Sequence, residues 1–286
     1  MGESRRSRND IYAYLMLLVA LAMIGVFFAP MLMLTSNSLH ADLGMGAVSE
    51  AFTLRNYVKF LTDPFYLGIL FDTFLLGVIV VTICMVVGYP VAYVLARTRS
   101  RFRGTLVFLV IAPLLISVVI RNLGWLPVLG NSGMINWLLM SIGFVKEPLK
   151  LYGNFTGVVI GLVHTLLPFM ILSVMTVIHR IDLELEEAAI NLGASPLVMF
   201  WRVLLPLSRP GLLAGYLLVF TLAISAFTTP AMMGGRRVLL MSTYIEQQIR
   251  SVLNYGFGST VAVILMLAGA VLTFLALRTP SQERTA

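Results

Sequence analysis

Charge is what this chain has least of. Only 12% of its 286 residues are Asp, Glu, Lys or Arg, against 59% hydrophobic, where a soluble domain carries roughly twice that share of charge. The apolar residues fall in runs longer than about 18, which excludes one soluble core and predicts a polytopic, all-α membrane protein. Cysteine is nearly absent too. Cys84 stands alone inside an apolar run, so no intrachain disulfide or cysteine-based metal site is available, and it reads as a small core residue. The lysines are Lys59, Lys146 and Lys150. None follows a glycine, which excludes a P-loop. The histidines are His40, His164 and His179, with no H-E-x-x-H and no G-x-S-x-G, so an intramembrane peptidase or esterase has no visible machinery. There is no internal repeat of the kind that marks many secondary transporters. No basic patch interleaved with stacking aromatics lies outside the apolar runs, so the net charge of +7 reads as topogenic, and no nucleic acid partner is expected.

What is present is a series of six apolar stretches, each near the ~20 residues that a bilayer core requires: about 11–34, 67–96, 105–123, 157–178, 212–229 and 259–277. Together they form a single membrane domain over 11–278, flanked by segments 1–10 and 279–286. The dense basic clusters "SRRSR" (4–8) and "RTRSRFR" (97–103) put the N-terminus inside, as an uncleaved signal anchor, and with six spans both termini are cytoplasmic. Arg236 and Arg237 then fall outside and Arg284 inside. The three outer segments, about 35–66, 124–156 and 230–258, are not plainly hydrophilic. "NSGMINWLLMSIGF" and "MSTYIEQQIRSVLNYG" each predict a short surface helix, the second with Gly256 as its C-cap. Gly153, Gly157 and Gly161, and again Gly211 and Gly215, are spaced by four, which permits close helix packing.

The inner segment at about 180–210 contains "EEAAINLGASPLVMFWRVLLPLSRPG", Glu186 to Gly211. Asp182 can cap a helix whose first turns carry Glu184, Glu186 and Glu187, on the side its dipole favours. Gly193 can end that helix with a left-handed C-cap. Ser195 then caps a second short helix with Pro196 in its first turn. Pro206 is expected to stop it, and Ser208 and Pro210 to open the fifth span. The face bearing Ala188, Ala189 and Gly193 is small, so another surface could approach its backbone. An ordinary interfacial hairpin has the same pattern.

Charged and polar groups at membrane depth are costly and are usually paired or functional. Asp72, Arg121, His164 and Glu246 are the candidates for a translocation pathway. Asp72 and Arg121 equally fit a structural ion pair near the outer face. His164, one turn before Pro168, equally fits a bond to a carbonyl that the proline frees.

Here the chain resembles a known family. "EAAINLG", nine residues, then "VLLP" is similar to the EAA loop of ATP-binding-cassette (ABC) importer permeases. Glu187, Ala188, Ala189, Gly193, Leu205 and Pro206 match, while Val203 stands where isoleucine is usual. "FTLRNYVKFLTDPFY", "VVGYPVAYVLA", "GLVHTLLPFMIL" and "IDLELEEAAINLGAS" extend the resemblance, over about 52–258, to the polyamine and opine branch. It implies a type I importer permease fold in a bacterial inner membrane, and half of a translocation pathway. The loop would be a coupling helix docked on a separate ATPase. The implied partners are two ATPase subunits, a second homologous permease forming a heterodimer, a periplasmic or extracellular substrate-binding protein, and membrane lipid. No enzymatic activity, metal or cofactor is expected in this chain; ATP and Mg would sit on the ATPase. The implied solute is a polyamine of the spermidine or putrescine type, with an opine, a phosphonate or another small solute as alternatives. A self-sufficient secondary transporter is the competing class and leaves the EAA spacing unexplained.

Overall fold

The computed structural model describes residues 3–44, 46–235 and 238–278, with only the backbone for 3–14 and Leu277. Arg236, Arg237, Arg284 and the segment 279–286 lie outside the described residues. Among the described residues, five helices are long and apolar enough to cross a membrane, and a sixth crossing results if one sharply bent pair counts as one span. In order they are α1 (Glu3–Ser38), α3 (Pro64–Arg97), the bent pair, α8 (Phe155–Ile178), a 30-residue helix Pro196–Ser225, and α14 (Tyr255–Arg278). The chain divides into two compact units. One comprises residues 1–64 and 245–265, the other 65–244 and 266–286.

The larger unit holds the main apolar core, built on α3, α8 and the long helix Pro196–Ser225. Leu76, Val80 and Cys84 of α3 are fully buried, as are Val158, Met170 and Val174 of α8. Glycine lets α8 and the long helix close together. A Cβ on Gly211 would stand 2.8 Å from the Val177 side chain, and one on Gly215 2.7 Å from the Met170 sulfur. Small residues matter here because lipid offers side chains as apolar a home as a neighbouring helix does, so association rests on close packing.

Proline acts in two different ways. Pro206 does not stop its helix. α10 (Pro196–Met199) runs through one π turn (Phe200–Leu204) into α11 (Leu205–Ser225) without a break. In the π turn the Leu205 N–H reaches back to the Phe200 carbonyl. This wider register makes room for a ring that would collide with the carbonyl four residues earlier in an α-helix. Pro113, by contrast, marks a full break in the third apolar stretch. α4 (Arg103–Ile111) tightens into a 3-10 turn at Ala112–Leu115, Ile116 and Ser117 are extended, and α5 (Val118–Gly124) departs at 98°. α6 (Leu126–Leu129) and α7 (Met134–Ser141) follow.

The smaller unit contains α1, α2 (Arg55–Thr62) and an antiparallel hairpin of β1 (His40–Gly44) with β2 (Ala47–Phe52), an element beyond the all-helical expectation. Gly44 and Gly46 take φ of +87° and +85° at its turn, which glycine alone adopts at little cost. The end of α1 is tied down by polar contacts. The Thr260 hydroxyl donates to the Ser38 carbonyl at 3.0 Å, and the Asn56 amide donates to the His40 carbonyl at 3.1 Å. α13 (Met241–Glu246) continues into a π turn, Gln247–Ser251, and Leu253 takes a positive φ of 57°. Gly256 is therefore not a C-cap; it lies in the first turn of α14, which Asn254 caps by accepting from the Phe257 N–H at 2.8 Å. A side chain at Gly256 would meet the His40 carbonyl at 2.6 Å.

Candidate functional site

A short helix, α9, and the opening turns of the long helix Pro196–Ser225 follow α8. α9 (Leu183–Asn191) ends at Gly193, whose φ is +86°. The Ala194 N–H bonds the Ala189 carbonyl at 3.0 Å and the Gly193 N–H bonds the Ile190 carbonyl at 2.9 Å. This is the paired pattern of a Schellman C-cap. Ser195 follows as the N-cap of α10, its hydroxyl accepting from the Val198 N–H at 3.4 Å with Pro196 in the first turn. Asp182 occupies the N-cap position of α9, but its side chain makes no capping bond.

The two glutamates of "EEAA" face opposite ways. Glu187 and Ala188 are exposed and Ala189 is half-buried. Glu186 is buried at 3% exposure. It accepts from Arg97 Nε at 2.9 Å, from Arg97 Nη2 at 2.5 Å and from the Tyr93 hydroxyl at 2.9 Å. Arg97 Nη1 also donates to the Ile181 carbonyl at 2.9 Å. The last turn of α3 thus holds both the approach to α9 and its middle. One turn earlier on the same face, the Tyr89 hydroxyl lies 2.7 Å from Ser208 Oγ, and the Phe200 ring meets Tyr89 edge-on at 5.2 Å. Sequence reasoning missed this anchor. Its signal is the spacing of Tyr89, Tyr93 and Arg97, which at intervals of four form one polar stripe on an otherwise apolar helix.

The anchored pair of helices presents an apolar surface. Leu192 is 89% exposed, and Ile190, Leu197 and Trp201 are exposed beside it. Leu205 and Pro206 are half-buried. They lie in the long helix beyond the π turn, and Leu205 lines an apolar cavity of about 600 Å³ between α3 and that helix, with Met85, Tyr89, Phe200 and Trp201. A rigid helical knob with exposed leucines beside exposed Glu187 is suited to insertion into a groove on another protein.

The candidates at membrane depth separate. Asp72 is exposed on α3. Arg121 is buried at 8% exposure, and its Nη1 donates to the Pro113 carbonyl at 2.5 Å. No Asp72–Arg121 ion pair is present among the described residues. Arg121 instead braces the broken third stretch, since the extended backbone after Pro113 leaves carbonyls needing donors. His164 is half-buried; its Nδ1 has no partner, so it does not bond a freed carbonyl. Its ring meets Trp125 edge-on at 5.3 Å, and Trp125 lies one turn beyond Arg121. Asn122, fully buried, donates to the Thr229 hydroxyl at 3.2 Å on α12 (Thr228–Met233). Glu246, half-buried, belongs to the smaller unit.

Comparison with known proteins gives consistent results. Residues 85–282 match the family model for the binding-protein-dependent transport system inner membrane component. The spermidine/putrescine transport system permease protein PotB of Haemophilus influenzae is 34% identical over 87% of this chain and 88% of its own length. The protein of the same name from Escherichia coli is 35% identical over 84% of this chain and 87% of its own. A molybdenum transport system permease protein, ModB of Mycobacterium bovis, is 27% identical over 69% of this chain and 74% of its own. Among solved structures, a chain of a bacterial ABC transporter that imports the acidic polysaccharide alginate superposes with a TM-score of 0.75 at 18% identity, covering 96% of each chain. A chain of the MetNI methionine ABC transporter gives 0.58 at 19% identity, covering 76% of this chain and 97% of that one. At these identities the structural matches speak to the fold, which is that of ABC importer permeases.

Proposed function

The chain belongs to the binding-protein-dependent transport system inner membrane components, and from that premise we propose that it forms half of the translocation pathway of an ABC importer for a polyamine of the spermidine or putrescine type. The observation that carries the solute class is the 34% and 35% identity to permeases so named, over more than four fifths of this chain. A molybdenum-system relative matches less closely and over less of the chain. Energy enters through a separate ATPase, since this chain has no Gly-Lys pair from which to build a P-loop.

Glu187, Ala188, Ala189 and Gly193 form the knob that docks on that ATPase, and Leu205 and Pro206 begin the rigid rod behind it. The buried Arg97–Glu186 pair at 2.5 Å transmits the motion to α3. Two ATPases, a second and different permease, and a substrate-binding protein on the outer side complete the assembly. Both termini and the α9–α10 knob lie on the cytoplasmic side. Asp72, Arg121, His164 and Glu246 stand as pathway candidates.

A tagged chain purified in mild detergent, with mass spectrometry of what accompanies it, tests the assembly. ATPase activity in membranes, with candidate solutes and their binding proteins, tests the substrate. Co-purification of an ATPase and a second permease, with stimulation by spermidine or putrescine, is expected. Stimulation by a different solute class would overturn the polyamine reading alone. A chain that never captures an ATPase would overturn the importer mechanism.

A further inference from the structure

Two cavities follow one another along α3, one lined as far as Leu95 and the other from Ala96 onward. The first is an apolar groove of about 460 Å³, lined by Val91, Val94 and Leu95 of α3 and by Leu106, Leu109 and Val110 of α4. The second, about 410 Å³, is polar; Arg97, Arg99, Arg103 and His179 line it together with Asp182 and Leu183. Arg103 joins them. Its Nε donates to the Leu95 carbonyl at 3.0 Å, and it lies on the α4 face that carries Leu106 and Val110. Its Nη groups reach no other described residue.

The charges in the polar cavity do not cancel. Arg97 is neutralised by Glu186. Arg99 and Arg103 then face Asp182, with the exposed His179 beside them. Phe102 is exposed with Arg101 stacked on its ring at 4.9 Å, and the arginine-rich segment 97–103 reads as lying at the membrane–water boundary. An apolar channel ending in a basic pocket at that boundary has the shape and charge order of a phospholipid. Basic pockets between membrane helices recur as headgroup sites.

We propose that groove and pocket form one site for an anionic phospholipid, with an acyl chain along Leu106 and Val110 and the phosphate at Arg99, Arg103 and His179. The pocket's lining includes Asp182 and Leu183, where α9 begins. Occupancy therefore bears directly on how α9 is held. The site is independent of which solute the protein carries.

The test is native mass spectrometry of the full chain in detergent, titrated with dioleoyl phosphatidylglycerol or dioleoyl phosphatidylcholine. Phosphatidylglycerol should be retained about tenfold more strongly. The double variant Arg99→Gln/Arg103→Gln should lose about 10- to 30-fold of that retention. Arg99→Lys/Arg103→Lys should keep most of it, which separates charge from misfolding. Leu106→Trp should fill the groove and displace the lipid with both arginines intact. Equal retention of phosphatidylglycerol by wild type and the glutamine variant would overturn the proposal. So would competition by glycerol 3-phosphate at the same concentration as the lipid, which would make this a site for free anions. Unchanged lipid binding with loss of a co-purifying protein would assign the pocket to a protein contact instead.

Discussion

Adjacent glutamates with opposite surroundings should have opposite mutational signatures. Removing the Glu186 carboxylate strands Arg97 at 16% exposure and leaves the Tyr93 hydroxyl without its acceptor. Breaking one side of a pair that is only partly buried on the arginine side costs on the order of 1–3 kcal/mol, less than for a fully buried pair. Glu186→Ala should therefore lower the thermal stability of the purified chain by several degrees. Arg97→Leu/Glu186→Leu should recover much of that loss, because an apolar pair leaves no stranded charge. Glu187→Lys should leave the melting temperature within a degree or two of wild type, since Glu187 is exposed, while abolishing transport-coupled ATP hydrolysis. Equal stability losses for Glu186→Ala and Glu187→Lys would contradict this division of labour. Gly193→Val tests the cap between them. At φ +86° a β-branched side chain is strained by about 1–2 kcal/mol, so α9 should tilt and coupling should fall even where the protein still folds.

At the scale of elements, the close approach of α8 and α11 rests on Gly211 and Gly215, where an added Cβ would stand under 3 Å from a neighbouring side chain. Gly215→Leu should force the helices apart and cost about 1–3 kcal/mol, read as a lower unfolding temperature in detergent. Gly104→Leu, in α4 where nothing lies within 4 Å, is the matched control and should not destabilise, since leucine also favours the helix over glycine. Periodic spacing made these contacts legible: four-residue glycine steps, long apolar runs, and the Ser195–Pro196 and Gly193 capping signals all carry local physics. Breaks were less legible, because a proline's effect depends on its surroundings. Pro206 is absorbed by a π turn, whereas Pro113 sits at a bend of 98° that Arg121 braces from eight residues away. The same limit hid the Glu186 anchor. Glu184, Glu186 and Glu187 all suit a helix start electrostatically, and only the tertiary position of Arg97 selects which of them turns inward.

For the molecule as a whole, the arginine-rich segment 97–103 between α3 and α4 predicts an orientation that chemical labelling can read. Cys84 is the only cysteine and is fully buried, so Cys84→Ala gives a cysteine-free background at the cost of a small cavity. Into it, Ser195→Cys places a thiol at the exposed start of α10, and Ser141→Cys places one at the exposed end of α7. A membrane-impermeant maleimide should label Ser141→Cys in intact spheroplasts and Ser195→Cys only after permeabilisation. The two positions must differ if α8 crosses the bilayer, because that one span separates Ser141 from the α9–α10 knob. The reverse pattern would place the knob outside, where no ATP-hydrolysing subunit could reach it, and the proposed coupling route would fail. Labelling of both from the same side would show that α8, the one long apolar helix between them, does not cross.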